Sequence, residues 1–456
     1  MTKRILILMI CLGLLLSVAG CKAKETPPAP ETSPIVFTTQ ATEMPTVPTQ
    51  AVQTQPTQAP TESVPTAPPT TPTTPPQTEP SKPTQPTEPP DPDTLWTPIC
   101  QEYINLRATP GGNLIGTVPV NATVVLQKWV GKYALVTYNG TQGYVTANYI
   151  KPASSDYLTK RLQTVTLTTV YTYDQMRTDM AALQALYPDK VTISSIGLSE
   201  MGREIPVLRM GDPNAKHHIL LQGAIHAREH FTACLLMALA DNYLSKGIPS
   251  DVCWHIIPMS NPDGVILAQS GTLNAAQTQI YERDLAMGYT TLSQTAYAQY
   301  WKANAMGVDL NRNFSSGWEN SLEHKEASSE KYRGTDPFSA AESRALRDYT
   351  LQYDFAATFS FHSSGSVLYY QYGNKQPVNQ QSYSLALATQ AVTGYIPVST
   401  DGTSGAGYKD WAMDALGIPS LTVEIGNDIT PLEDRDLYNT FARCEGLFPA
   451  VETWLK

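Results

Sequence analysis

Hydrophobic positions along the chain fall into four regimes. An apolar run from Ile5 to Val18 follows Lys3 and Arg4; it is short for a bilayer span and has the length of a signal-peptide core. From Glu25 to about Thr94 apolar residues are sparse and Pro, Thr, Gln and Glu dominate, so no core can form there. From about Trp96 to Pro152 short alternating runs appear: Tyr103–Leu106, Leu114–Val118, Thr123–Gln127 and Tyr133–Tyr138. Turn residues separate them, notably Thr109-Pro-Gly-Gly112 and the hairpin signal Asn139-Gly140, which predicts a small all-β domain. Beyond about Leu158, helical and strand patterns alternate. Tyr173–Tyr187 and Phe231–Leu244 read as helices. Val191–Ile196 and Ile205–Met210 read as paired strands about Met201-Gly202-Arg203. His218–Gly223, Val252–Met259, Ala356–Phe361 and Ser420–Ile425 read as buried strands. That alternation predicts an α/β domain with a mixed sheet sandwiched by helices.

Composition sharpens these boundaries. Twenty of the 36 prolines lie between Pro27 and Pro92, which marks the second regime as a disordered, extended tether reaching on the order of 200 Å at most. The predicted organisation is 1–20 signal peptide, 21–95 Pro/Thr-rich linker, 96–152 β domain and 158–456 α/β domain. A net charge of -10 argues against nucleic acid as a partner. Six scattered cysteines do not make a disulfide scaffold or a Cys-type zinc site. Cys234 and Cys253 read as buried thiols, and a Cys100–Cys444 pair is left open.

Leu16-Ser-Val-Ala-Gly-Cys21 resembles the bacterial lipobox. The resemblance implies lipidation of Cys21 and an extracytoplasmic membrane lipoprotein facing the cell wall. Ile104-Asn-Leu-Arg107, Ile115-Gly-Thr117, Tyr138-Asn-Gly140, Gly143-Tyr-Val145 and Asn148-Tyr-Ile150 together resemble bacterial SH3-like barrels, which implies a peptidoglycan contact. Trp129, Tyr133 and Tyr144 are equally readable as an aromatic groove or as core.

The chemistry-bearing residues lie in the last domain. His226 and Glu229, three residues apart where a strand gives way to a helix, can face one ion; Ala227 after His226 rules out an HExxH arrangement. His362 and Glu424 each end an apolar strand, and Asp309-Leu-Asn311-Arg312 packs an acid, an amide and a guanidinium into one loop. Polar groups at strand ends are where α/β sheets hold their sites.

This ordered set, with Asn261-Pro-Asp-Gly264, resembles the zinc carboxypeptidase (carboxypeptidase A-like) family. The resemblance implies one zinc ion on His226, Glu229 and His362, with water in the fourth position and Asp309 orienting His226. It implies Glu424 as general base and Asn311, Arg312 and Arg228 as substrate-binding groups. His230 is then a packing residue rather than a ligand. Lys302 stands where the family has an arginine that stabilises the oxyanion. The family's mobile tyrosine falls near Gly402, so its role is lost or moves to Tyr408. Lys409 falls at the pocket floor, where it either meets an acidic side chain of the substrate or pairs with Asp410 or Asp414. Trp301-Lys-Ala-Asn304, His362-Ser-Ser-Gly365 and Gly407-Tyr-Lys-Asp-Trp411 are most similar to the bacterial branch that includes γ-D-glutamyl-diaminopimelate peptidases. The expectation is a zinc peptidase acting on peptidoglycan stem peptides. The alternatives are a general carboxypeptidase acting on ordinary peptides and, from another class, a non-catalytic wall-binding lipoprotein.

Overall fold

The computed structural model describes residues 90–247, 251–400, 405–427 and 430–456. Cys21, the signal peptide, nearly all of the linker and Gly402 lie outside the described residues.

Seven short strands come first: β1 (Leu95–Pro98), β2 (Tyr103–Arg107), β3 (Leu114–Pro119), β4 (Val124–Val130), β5 (Tyr133–Tyr138), β6 (Thr141–Thr146) and β7 (Ile150–Pro152). They form one antiparallel sheet in the order β3-β2-β6-β5-β4-β1-β7. Alternation along β2 and β5 sends Ile104, Leu106, Ala134 and Val136 inward, where they meet Trp96, Val118, Val124, Val145 and Ile150 in one core. Asn139 and Gly140, at φ 46° and 79°, make the hairpin between β5 and β6 that the sequence predicts.

The second sheet has eight strands: β8 (Val191–Leu198), β9 (Glu204–Met210), β10 (His217–Gln222), β11 (Val252–Ile257), β12 (Phe355–Ser363), β13 (Val367–Tyr369), β14 (Ile396–Val398) and β15 (Ser420–Ile425). Their order is β14-β13-β15-β12-β10-β11-β9-β8. The centre, β15-β12-β10-β11, is parallel, and β9 with β8 closes one edge antiparallel. Both faces are covered. Ile219, Leu221, Phe359, Phe361, Leu421 and Val423 pack on one side with the helices Tyr173–Leu186, Phe231–Lys246 and Leu447–Trp454. Val207, Leu220, Ile257 and Phe355 pack on the other with Leu346, Tyr349, Tyr408 and Trp411. Burial on both faces explains why the central strands are continuous apolar runs rather than alternating ones. From β10 the chain continues to β11 on one side, while β12 pairs on the other. The sheet order therefore turns at β10, and a crevice opens beyond the carboxyl ends of β10 and β12.

The two sheets belong to one compact unit and meet at a defined seam. Gly131 donates its N–H to the Gly394 carbonyl at 2.7 Å. The buried guanidinium of Arg443 donates to Gly131 O (2.6 Å), Thr393 O (2.8 Å) and Ser366 Oγ (3.3 Å). A side chain at Gly394 would lie 2.3 Å from the Trp129 carbonyl, and φ there is +66°, so only glycine fits this contact. Trp129 stacks edge-on with Trp96 at 5.1 Å and faces Arg443 at 5.6 Å, which makes it a seam residue. Cys100, Cys234, Cys253 and Cys444 are all free, so the Cys100–Cys444 pair does not form here.

Candidate active site

Four residues beyond the end of β10, His226 enters a tight turn over Ala227–Glu229 that leads into the helix Phe231–Lys246. His362 is the next-to-last residue of β12, and Glu424 on β15 is its direct partner. Three side chains converge. His226 Nδ1 lies 2.9 Å from Glu229 Oε1, His362 Nδ1 lies 3.1 Å from Glu229 Oε2, and the two Nδ1 atoms are 3.0 Å apart. All three residues are buried. Two imidazole nitrogens and a carboxylate this close bring several lone pairs to one point, with at most a proton or two to share among them. A cation placed among them satisfies all three groups. Two histidines and a carboxylate are also the donor set of catalytic zinc sites, so the residues fit a zinc ion.

The surroundings hold this arrangement. Asp309 Oδ1 is 3.3 Å from His226 Nε2, and its Oδ2 accepts the Lys331 N–H at 2.9 Å. Burial opposes ionisation of Asp309, but the His226 contact and the Lys302 and Arg312 cations hold it well below the usual carboxylate range. Burial likewise opposes the charge on Glu229, and the two imidazoles outweigh it and hold that carboxyl low. Glu424 differs. Burial and repulsion from Glu229 push it up to about 7, against the pull of His362 and Lys302.

Loop order comes from residues that the motifs contain but whose work the sequence does not reveal. Asn261 caps the helix Pro262–Ser270 through Gly264 N–H, and its Nδ2 donates to Ile225 O (3.2 Å) and Ala303 O (3.0 Å). It therefore ties the His226 loop to the Lys302 loop, and Ala227 N–H adds a bond to the Lys302 carbonyl at 3.0 Å. Asn304 accepts from Met306 and Val308 N–H and donates to Glu342 at 3.0 Å. Burial pushes Glu342 up to about 6, although the Asn304 bond works the other way.

The proposed substrate-contacting residues sort into two sets. Arg312 is half-buried, with a 3.7 Å contact to Glu323, and Arg228 reaches the Tyr300 carbonyl at 3.1 Å. Arg228 also lines a cavity of about 360 Å³ with Tyr289, His324 and Lys331. The other set faces inward. The expectation that Tyr408 takes over the mobile tyrosine's role is corrected: Tyr408 is fully buried, and its hydroxyl bonds Thr350 at 3.0 Å. Lys409 is committed to Asp410 at 2.5 Å and to the Gln371 carbonyl at 2.8 Å, which is the acid-paired arrangement of the two foreseen. Asn311 Oδ1 accepts the Tyr408 N–H at 3.1 Å and so seats the start of the helix Tyr408–Leu416. His230 is buried, and burial pushes it down to about 4, as a packing residue requires.

Residues 176–443, more than half of the chain, match the zinc carboxypeptidase family profile. A gamma-D-glutamyl-L-diamino acid endopeptidase of Lysinibacillus sphaericus is 29% identical over 295 residues, covering 61% of this chain and 72% of its own. A carboxypeptidase B of Astacus astacus is 28% identical over 279 residues, covering 57% and 86%. Among solved structures, thrombin activatable fibrinolysis inhibitor superposes with a TM-score of 0.50 at 22% identity, covering 66% of this chain and 75% of that one, a likeness of fold.

Proposed function

We propose that this chain, which belongs to the zinc carboxypeptidase family and is a hydrolase, cleaves amide bonds in peptidoglycan stem peptides of the γ-D-glutamyl-diaminopimelate type. The observation that carries the hydrolytic part is the convergence of His226, Glu229 and His362 beside Glu424. When bound by those three ligands, zinc supplies Lewis acidity toward the scissile carbonyl and toward water. Glu424 takes the proton from the attacking water and later hands it to the leaving amine. Burial and the nearby Glu229 carboxylate raise its proton affinity, which favours taking the proton from water. Lys302, whose charge reaches both Glu424 and Asp309, stabilises the developing negative oxygen. Arg312 receives the substrate carboxylate, and its guanidinium suits bidentate pairing.

The murein substrate is supported by the relative that is named for gamma-D-glutamyl-L-diamino acid cleavage. A cationic lipobox-like leader, a Pro-rich tether and a small β unit with SH3-like motifs fit the same setting. In this reading Cys21 carries the lipid, and the protein faces the wall from the membrane. Similarity to carboxypeptidase B favours a second reading, release of C-terminal residues from ordinary peptides. Digestion of defined muropeptides, followed by mass analysis, separates the two. Products cut between D-glutamate and diaminopimelate support the first reading, and single residues freed from L-peptides alone support the second. Cys21→Ala should move the protein from the membrane fraction to the soluble one; retention in the membrane sinks the anchor.

A further inference from the structure

A second convergence of metal-ligating side chains lies near the opposite ends of the central strands. His218 and Cys253 are direct partners across β10 and β11, and His255 is two residues further along β11. The twofold alternation of strands puts all three on one sheet face. Their ligand atoms lie within 4.8 Å of one another. His218 Nδ1 and His255 Nε2 are 2.9 Å apart, matching the 2.9–3.1 Å separations among the zinc-ligand atoms of the first site.

The second site is also built around its ligands. His255 is fully buried, and its Nδ1 is engaged by the Tyr349 hydroxyl at 2.7 Å, which turns Nε2 toward His218 and Cys253. A hydrogen bond on the far nitrogen is how a ligating imidazole is usually fixed. Cys253 is buried and free, while His218 is half-exposed and leaves a way in.

We propose that His218, Cys253 and His255 form a second metal site, separate from the zinc site, that takes a soft monovalent d10 ion, Cu(I) by preference. Thiolate and imidazole suit copper(I) and zinc alike. Charge and ligand number separate the two ions. Arg209 is the partner of His255 on β9, and its Nη1 donates to the Tyr353 hydroxyl at 3.2 Å, whose ring packs on both imidazoles. Binding releases the Cys253 thiol proton, so Cu(I) with the thiolate is neutral beside that guanidinium, whereas Zn(II) would leave a net positive charge. Three ligands satisfy Cu(I), but a structural zinc site calls for four.

The test uses the zinc-loaded full chain, titrated anaerobically with Cu(I) against a bathocuproine chelator. One Cu(I) per chain should be held beyond the zinc, with X-ray absorption showing one sulfur and two nitrogen neighbours. Cys253→Ser and His218→Gln should each weaken Cu(I) binding by roughly 100-fold, since losing a ligand costs at least as much as losing an outer-shell partner, with zinc content unchanged. Circular dichroism checks folding, and His218→Gln, at the half-exposed ligand, decides if the serine variant does not fold. The proposal is overturned by no Cu(I) retained against the chelator, by equal affinity in the folded variants, or by Zn(II) filling the site instead.

Discussion

Glu424 pairs directly with His362 across the parallel strands β15 and β12, so the carboxyl with the highest proton affinity in the crevice sits one strand spacing from a metal-ligating imidazole. Both positions are fixed by backbone hydrogen bonds in the centre of the sheet. The separation of base and ligand therefore does not depend on a loop.

Replacing that carboxyl tests its role. Glu424→Gln should lower kcat by roughly 100- to 10,000-fold while zinc content stays at one per chain. A general base works in its deprotonated form, so wild-type activity should rise with pH as Glu424 ionises. The value of about 7 belongs to the crevice without an ion. A bound dication favours the carboxylate, so the acid limb should fall below pH 7. Near-normal turnover in Glu424→Gln would assign the base elsewhere.

Metal retention should follow the geometry around His226. His226→Ala and His362→Ala should each lose the zinc, read by elemental analysis after dialysis. Asp309→Asn keeps the shape but removes the charge beside His226 Nε2. It should weaken zinc binding by about 10- to 100-fold, seen by competition with a chelator. Unchanged affinity there would mean that Asp309 serves only the Asn311 and Lys331 backbone N–H groups.

Glu342 gives a stability prediction with a definite sign. Its carboxyl keeps its proton up to about 6 in the fold, against 4.5 ordinarily. Between those values the native state binds more protons than the unfolded chain, so this group's contribution falls as pH rises. The loss is about 2 kcal/mol by pH 7. Urea unfolding of Glu342→Gln should lack that slope between pH 4.5 and 6. Parallel wild-type and variant curves would refute it.

Lys409→Met should act on stability rather than on selectivity. The ammonium is committed to Asp410 and Gln371 O, and its loss leaves a carboxylate in a site that is 12% exposed. Breaking such a pair costs roughly 3–5 kcal/mol. The ratio of kcat/KM for acidic over neutral peptides should barely change. If that preference collapses in a folded variant, the pair opens to substrate.

The strand-end positions of His226, His362 and Glu424 were legible because each interrupts or follows an apolar run that a buried parallel strand demands. The β5–β6 hairpin was legible from two residues. The inward orientation of Tyr408 and Lys409 was not. It depends on where the helix Tyr408–Leu416 begins, and Asn311, from a distant loop, holds that start. The three-residue strands β13 and β14 are too short to carry a pattern. Trp129 could be read as groove or core because its partner, Arg443, lies more than 300 residues away in sequence.

The fit of Gly394 under the Trp129 carbonyl, locked by Arg443, makes the small β unit a packed shoulder of the enzyme. A shoulder transmits position. Any polymer strand resting on it would be measured out at a constant offset from His226, Glu229 and His362, as cloth is against a fixed rule before the cut. Loosening the seam, as Gly394→Ala would, leaves the blade intact and removes the rule.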